Sequence, residues 1–349
     1  MKKTATLLLI AFCLALTAPA AFAAGNLDIF IWSEYMDPEV ISDFKKTFGV
    51  NVRLDHYESN EEMMAKLESG GLGQYDIIVP STYIMPSLKN KGLIQPLDHA
   101  KLPNLKNLGP AFTALKADPG NVYSIPYQMG TSGLVVRRAD LAGLEPSWKI
   151  IFDPSSEIGS FVIFDTARDA LGAALKYLGY SLNSTNKNEI EEAARLLMAT
   201  KKRPSFLGFD GGVGGLNKVM SGIAAAAQVY NGESIRAQEE DPEVHYILPK
   251  EGGEVWIDLV AVPKNAPHAN EAHLFINYLL DARVGARLAA YNHYATPNEA
   301  ARQFVPEADL NNPAIYPSGD LLDNLEYIED LGADNNAVYD EAWTMIKAN

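Results

Sequence analysis

Residues 27–56 read Leu27-Asp-Ile-Phe-Ile-Trp32-Ser-Glu-Tyr-Met-Asp37-Pro38-Glu-Val40-Ile41-Ser-Asp-Phe44-Lys-Lys-Thr-Phe48-Gly49-Val50-Asn-Val-Arg-Leu-Asp-His56. The stretch Leu27 to Trp32 is rich in β-forming side chains and predicts a strand. Asp37-Pro38 supplies an N-cap and an N1 proline. Val40, Ile41, Phe44 and Phe48 then recur at helical spacing until Gly49. Val50 to His56 alternates as a second strand. Working outward, Asn60 is placed to cap a helix Glu61–Ser69 that Gly70-Gly71 ends. Tyr75 to Val79 is a compact apolar run, as expected of a buried parallel strand, and a helix over 83–91 closes at Gly92. This repeated βα wording predicts an α/β fold with a mostly parallel sheet flanked by helices.

The pattern restarts at Phe161-Val-Ile-Phe-Asp165, followed by a helix Ala167–Leu178 and an amphipathic helix Glu189–Thr200. Strands are expected at Ile223–Tyr230, Val244–Leu248 and Val255–Val262, and helices at Asn270–Leu280, 281–291 and 335–347. Gly211-Gly-Val-Gly-Gly215 lacks both the Walker lysine and the dinucleotide spacing and reads as a turn. Glycine-bearing crossings near Gly130 to Gly133 and at Gly252-Gly253 predict two lobes joined by several strands.

The chain has 349 residues, 47% hydrophobic and 21% charged, an ordinary globular composition with core enough for two lobes. Its net charge of −15 disfavours nucleic acid, which needs a basic face, and favours encounter with cations. Lys2 and Lys3, the apolar run Leu7–Leu16 and Ala21-Phe22-Ala23 read as a secretory signal peptide over residues 1–23. Its removal takes away two lysines and no acid, moving the charge from −15 to −17, and also removes Cys13, the only cysteine. An exported protein with no disulfide fits a bacterial periplasm.

Enzyme templates fail. Neither H-E-x-x-H nor C-x-x-C is present, the His residues are scattered, and Gly130-Thr-Ser132-Gly133 lacks the nucleophile-elbow spacing. No catalytic residue, metal site or cofactor is therefore expected. What remains is aromatic residues beside acids where strands end. They are Trp32-Ser33-Glu34-Tyr35, Ser81-Thr82-Tyr83, Asp165 to Asp169, Tyr230-Asn231 and Trp256-Ile257-Asp258. Ligands of open α/β sheets bind at such strand ends. An aromatic face attracts an ammonium by roughly 0.5–2 kcal/mol, and a carboxylate adds a charge-assisted hydrogen bond. The common direction is an elongated organic cation, although each residue alone could be core, and Asp165 a simple helix cap.

At these residues the sequence resembles the bacterial periplasmic spermidine/putrescine-binding proteins, the receptors of polyamine ABC importers. The stretches that carry the resemblance include Trp32-Ser-Glu-Tyr35, Tyr57-Glu-Ser-Asn-Glu61, Tyr75-Asp-Ile-Ile-Val-Pro-Ser-Thr-Tyr83, Tyr123-Ser-Ile-Pro-Tyr127, Trp256-Ile-Asp258 and Ala295-Thr-Pro-Asn298. They run in family order over essentially the whole mature chain. The resemblance implies a two-lobed, class II periplasmic binding protein. One lobe would hold 26–128 plus 255–299 and the other 133–250 plus 304–349. It implies Trp32, Tyr35, Tyr83, Trp256 and Tyr294 around the aliphatic chain of a polyamine. Asp258 and Asp169 would meet one terminal ammonium, and Ser33, Glu34 and Ser81 would line the other end or the inner amine.

Three positions depart from the family pattern. Thr166 stands where the spermidine receptor has an acid, Ile328 where it has a glutamine, and Tyr230 where it has a tryptophan wall. Losing an acid and an amide predicts fewer partners for one end of the ligand. The expectation is that spermidine does not bind in the standard pose. Norspermidine, putrescine or a reversed pose would be preferred. The resemblance further implies a monomer that closes on its ligand and meets an inner-membrane partner, either an ABC permease or a membrane sensor.

Overall fold

The structure, a computed structural model, describes residues 25–139 and 141–348. The signal segment read from the sequence, with Cys13, lies outside the described residues. Ten strands are present among these residues: β1 (Gly25–Trp32), β2 (Val50–Tyr57), β3 (Ile77–Ile78), β4 (Ser124–Arg137), β5 (Phe161–Phe164), β6 (Phe206–Asp210), β7 (Ala226–Tyr230), β8 (Val244–Ile247), β9 (Glu254–Ala261) and β10 (Glu326–Tyr327). Their order is β2-β1-β3-β9-β4-β7-β5-β6, with β10 beside β9 and β8 beside β4. At one side β1 runs parallel to β2 and β3, and at the other β5 runs parallel to β6 and β7. The strands between are antiparallel: β9 to β3 and β4, and β4 to β7 and β8.

Local chemistry sets the ends of the helix after β1 where the sequence predicts them. Asp37 accepts a hydrogen bond from the Glu39 amide at 2.8 Å, and the helix Pro38–Phe48 ends on Gly49 at φ 71°. That helix buries Val40 and Phe44 completely. Each such burial is worth about 1.5–3 kcal/mol against exposure. From the helix Ala282–Asn292, Arg287 reaches back to Asp37 at 2.8 Å and Asp43 at 2.9 Å, tying the two helices together.

Several expectations are corrected. Ser59, not Asn60, caps the helix Asn60–Lys66, because its hydroxyl accepts the Glu62 amide at 3.1 Å. The strand expected over 75–79 pairs only at Ile77–Ile78, and the expected helix over 83–91 divides into a 3₁₀ turn, Thr82–Ile84, and a helix, Met85–Asn90. Thr166, not Asp165, takes the cap position of the helix Ala167–Tyr177, and Asp165 pairs with Lys347 at 2.5 Å. The stretch 211–215 is not a turn. Gly211 caps a helix Gly212–Met220, whose first glycine lets it approach the strand ends: a Cβ on Gly212 would crowd Tyr230 at 3.2 Å and Phe164 at 3.3 Å. Close packing there outweighs the poor helix propensity of glycine.

Strand β4 sets the position of everything that follows. Its first part pairs with β9 and its second with β7 and β8, so one continuous strand crosses from one half of the sheet to the other. Separate apolar clusters fill the two halves. One contains Ile29, Ile31, Phe44, Phe275 and Val260, and the other Phe152, Phe161, Ile163, Leu171 and Leu197. At the second crossing, Gly252 sits at φ 88°, where a Cβ would lie 1.8 Å from the Asn324 carbonyl. No larger residue fits there.

Candidate ligand-binding site

The ends of β1, β3, β5, β6 and β7 and the start of β9 converge on one cavity. Strand alternation explains part of its wall. Glu254, Trp256 and Asp258 are two residues apart on β9 and therefore share a face, and all three line the cavity. The end of β1 contributes Trp32, whose indole donates to the Val79 carbonyl at 2.9 Å, and Ser33, which donates to Glu58 at 2.5 Å. Beyond β3 come Ser81 and Tyr83. Asn60, turned inward, holds both: its side-chain oxygen accepts the Ser81 amide at 3.1 Å, and its amide group donates to the Ser81 and Tyr83 hydroxyls at 3.1 and 3.2 Å.

The opposite wall comes from the ends of β5, β6 and β7. Asp169, in the first turn of the helix Ala167–Tyr177, accepts the Thr166 hydroxyl at 2.5 Å and the Tyr230 hydroxyl at 3.4 Å. Asn231 is fully buried and accepts the Thr131 amide at 2.9 Å, clamping the start of the helix Asn231–Glu240 to β4. That clamp places Glu233, which accepts the Tyr294 hydroxyl at 2.6 Å. The aromatic rings meet edge to face. Trp256 lies 4.7 Å from Tyr294, 5.7 Å from Tyr230 and 6.3 Å from Tyr35. Such contacts hold the rings rigid and leave their faces as walls.

Of the residues singled out in the sequence, Trp32, Ser33, Tyr35, Ser81, Tyr83, Thr166, Asp169, Tyr230, Trp256, Asp258 and Tyr294 all line this cavity. Glu34 and Ile328 do not. Glu34, at φ 54°, points its carboxylate toward Arg236 at 3.6 Å, and Ile328 is buried in the apolar core. The sequence reading missed Glu233, Glu254 and Asp210 and did not assign roles to Glu58, Asn60 and Glu61, although the last three lie in a stretch that carried the resemblance. Period-two spacing from Trp256 was the available signal for Glu254.

The electrostatics are one-sided. The lining holds eight carboxylate residues and not one Lys, Arg or His. Burial pushes Asp258 up to about 7, even though the Ser81 hydroxyl opposes the shift. Burial also raises Asp169, Glu233 and Glu61, and it raises Glu254 well above the usual carboxylate range with the help of neighbouring Asp169. The Trp256 indole nitrogen is buried with no hydrogen-bond partner. The arrangement is an aromatic sleeve lined with acids, of which Asp165 is paired with Lys347 and Asp210 with Lys218. A second group, Asp28, Asp76 and His268, lies apart from it. Asp76 there accepts the Asp28 and His268 amides at 2.9 and 2.6 Å, while Arg53 holds Asp28 at 2.8 Å, so the group staples β1 to the segment that enters the helix Ala269–Leu279.

The family model of the bacterial extracellular solute-binding proteins matches residues 39–317. The chain belongs to this family. It is 36% identical over 354 residues to the spermidine/putrescine-binding periplasmic protein of Escherichia coli, covering 100% of this chain and 99% of the relative. The putrescine-binding periplasmic protein of Pseudomonas aeruginosa is 34% identical over 371 residues, again covering 100% and 99%. A solved structure from Listeria monocytogenes, assigned to a spermidine/putrescine ABC transporter, superposes with a TM-score of 0.85 at 36% identity. It covers 93% of this chain and 99% of that one. The solute-binding fold is two-lobed, as the sequence predicted. Among the described residues no helix is long and apolar enough to cross a membrane.

Proposed function

We propose that this solute-binding protein is a periplasmic receptor that closes on a linear polyamine and delivers it to an inner-membrane ABC importer. The observation that carries the reading is the composition of the cavity wall, eight carboxylates and an aromatic sleeve with no basic side chain. Three of them, Glu233, Glu254 and Asp258, are buried and in no ion pair among the described residues, which is costly, and a flexible chain of ammonium groups is the ligand that relieves them. A sugar or an anion would leave that cost in place. The names of the relatives point the same way and favour import over a purely sensory role.

The lobes are assigned as 26–128 plus 255–299 and 133–250 plus 304–349. On this division the contacts between Tyr294 and Glu233, Arg236 and Glu34, and Lys116 and Glu329 at 3.0 Å all bridge the lobes. Arg168 also lies over the Tyr83 ring at 5.5 Å. They are the contacts a hinge closure would make. The residues assigned to the ligand are Trp32, Tyr35, Tyr83, Tyr230, Trp256 and Tyr294 along its chain, with Asp169 and Asp258 on its amines. The protein acts by binding, without turnover. Calorimetric titration of the mature chain, unfolded and refolded to strip ligand, with putrescine, norspermidine, spermidine and spermine tests the reading. Tight one-to-one binding of a polyamine is expected, and no heat with any of the four overturns it.

A further inference from the structure

Two of the three buried acids in the cavity wall have a place already. Asp258 accepts the Ser81 hydroxyl and is assigned to an amine, and Glu254 has Arg168 and Lys176 around the smaller cavity at its back. Glu233 is different. It is buried, it lines the main cavity, and among the described residues one side chain donates to it, the Tyr294 hydroxyl at 2.6 Å. Arg236, one turn along the same helix, pairs instead with Glu34 at 3.6 Å and lies over the Tyr291 ring at 5.7 Å. Burial raises the Glu233 carboxyl, although Tyr294 and Arg236 both oppose the shift.

The fold brings this carboxylate to one particular point of the sleeve. Glu233 lies in the first turn of the helix Asn231–Glu240, and Gly232 before it permits the approach. A Cβ on Gly232 would lie 2.2 Å from the Asn292 carbonyl and 2.6 Å from the Tyr294 ring. Tyr294 in turn meets Trp256 edge to face at 4.7 Å. Trp256 also meets Tyr35 and Tyr230, so it is the ring the other three share and the middle of the sleeve. Asp169 is tied to Tyr230 and Asp258 to Ser81. The three acids therefore stand at different points, with Glu233 at the central pair of rings.

We propose that Glu233 receives the inner amine of the ligand and makes the cavity select a triamine over a diamine. The inference rests on the polyamine reading above. A linear triamine carries a secondary ammonium between its ends, and that group gives the Glu233 carboxylate a charge-assisted hydrogen bond. A diamine of the same length presents methylenes there and leaves a buried carboxylate against hydrocarbon. The penalty on the diamine contributes to the selection as much as the bond to the triamine does.

The test uses the mature chain and two ligands of equal length, norspermidine and the terminal diaminoheptane, in which a methylene replaces the inner nitrogen. Calorimetry near neutral pH is expected to show norspermidine bound about tenfold or more tightly than the diamine. Glu233→Gln keeps an acceptor for the Tyr294 hydroxyl and removes the charge. It should weaken norspermidine by about tenfold and leave the diamine unchanged or tighter, while Glu233→Asp restores part of the preference. Equal changes for the two ligands in Glu233→Gln, including no change in either, overturn the proposal and leave the polyamine reading intact. Absence of binding by every polyamine overturns both. A melting curve of the empty variant checks its fold. Should Glu233→Gln fail to fold, the wild-type comparison decides, and equal affinity for norspermidine and the diamine overturns the proposal.

Discussion

Ser81 donates its hydroxyl to the Asp258 carboxylate at 2.6 Å, joining two residues 177 positions apart in the chain. The same two residues form an isolated antiparallel bridge between the end of the β3 segment and β9. Asn60 in turn fixes Ser81, so the carboxylate is oriented before any ligand arrives. Its remaining capacity is available to a cation. Pre-orientation of this kind lowers the ordering cost of binding.

Asp258→Asn keeps the shape and removes the charge. Ligand binding should weaken by about 2–5 kcal/mol, because a buried ammonium loses its counter-ion. The empty protein should hold or gain stability, since a buried acid that resists ionisation has been replaced by a neutral amide. Calorimetry and thermal melting read the two effects separately, and wild-type affinity in this variant removes Asp258 from the site.

The raised acids make stability depend on pH in a defined direction. Asp258 rises from 3.8 to about 7 in the folded protein, so the fold keeps a proton that the unfolded chain releases. Stability is then fullest below the unfolded value and is lost as pH rises toward about 7, by roughly 4 kcal/mol for this group. Asp169, Glu233 and Glu254 shift the same way. Melting temperature of the empty protein should fall between about pH 4 and 7, and saturating polyamine should reverse the fall. A flat profile without ligand contradicts the buried acid cluster.

Tyr294→Phe deletes only the hydroxyl that Glu233 accepts. The carboxylate stays buried without its donor, a loss of about 1–3 kcal/mol. Because Tyr294 follows the helix Ala282–Asn292 and Glu233 lies in the helix after β7, the loss falls on the contact between these two elements across the cavity wall. Denaturant unfolding should shift to lower urea, and an unchanged midpoint shows that the contact is not made in solution.

Gly130 lies within β4 where the cavity wall closes. A Cβ there would come within 2.4 Å of both the Asn231 side-chain oxygen and the Trp256 ring. Gly130→Ala should cost about 1–3 kcal/mol of stability through overpacking. It should also weaken ligand binding, because Trp256 has to move. Retained affinity together with a wild-type denaturation midpoint contradicts the packing seen around this residue.

What the sequence determined by itself is what local physics decides. Asp37 and Gly49 bound their helix because a cap and a left-handed residue need only neighbours in the chain. The aromatic and acidic residues at strand ends were legible because a strand end is a local event, and strand ends in this class face the ligand. Tertiary structure decided the rest. β4 pairs half its length with β9 and half with β7, a crossing that no local period encodes. Asn60 was legible as a cap but serves as the brace of Ser81, because Ser59 already satisfies the helix end. Ile328 was expected at the ligand and packs in the core instead. Glu254 and Asp169 are distant in sequence, and only folding brings both to the wall of one cavity. Single residues and their types can be read along the chain, whereas the charge of a cavity is a property of which chains of residues face one another, and burial then sets how much that charge costs.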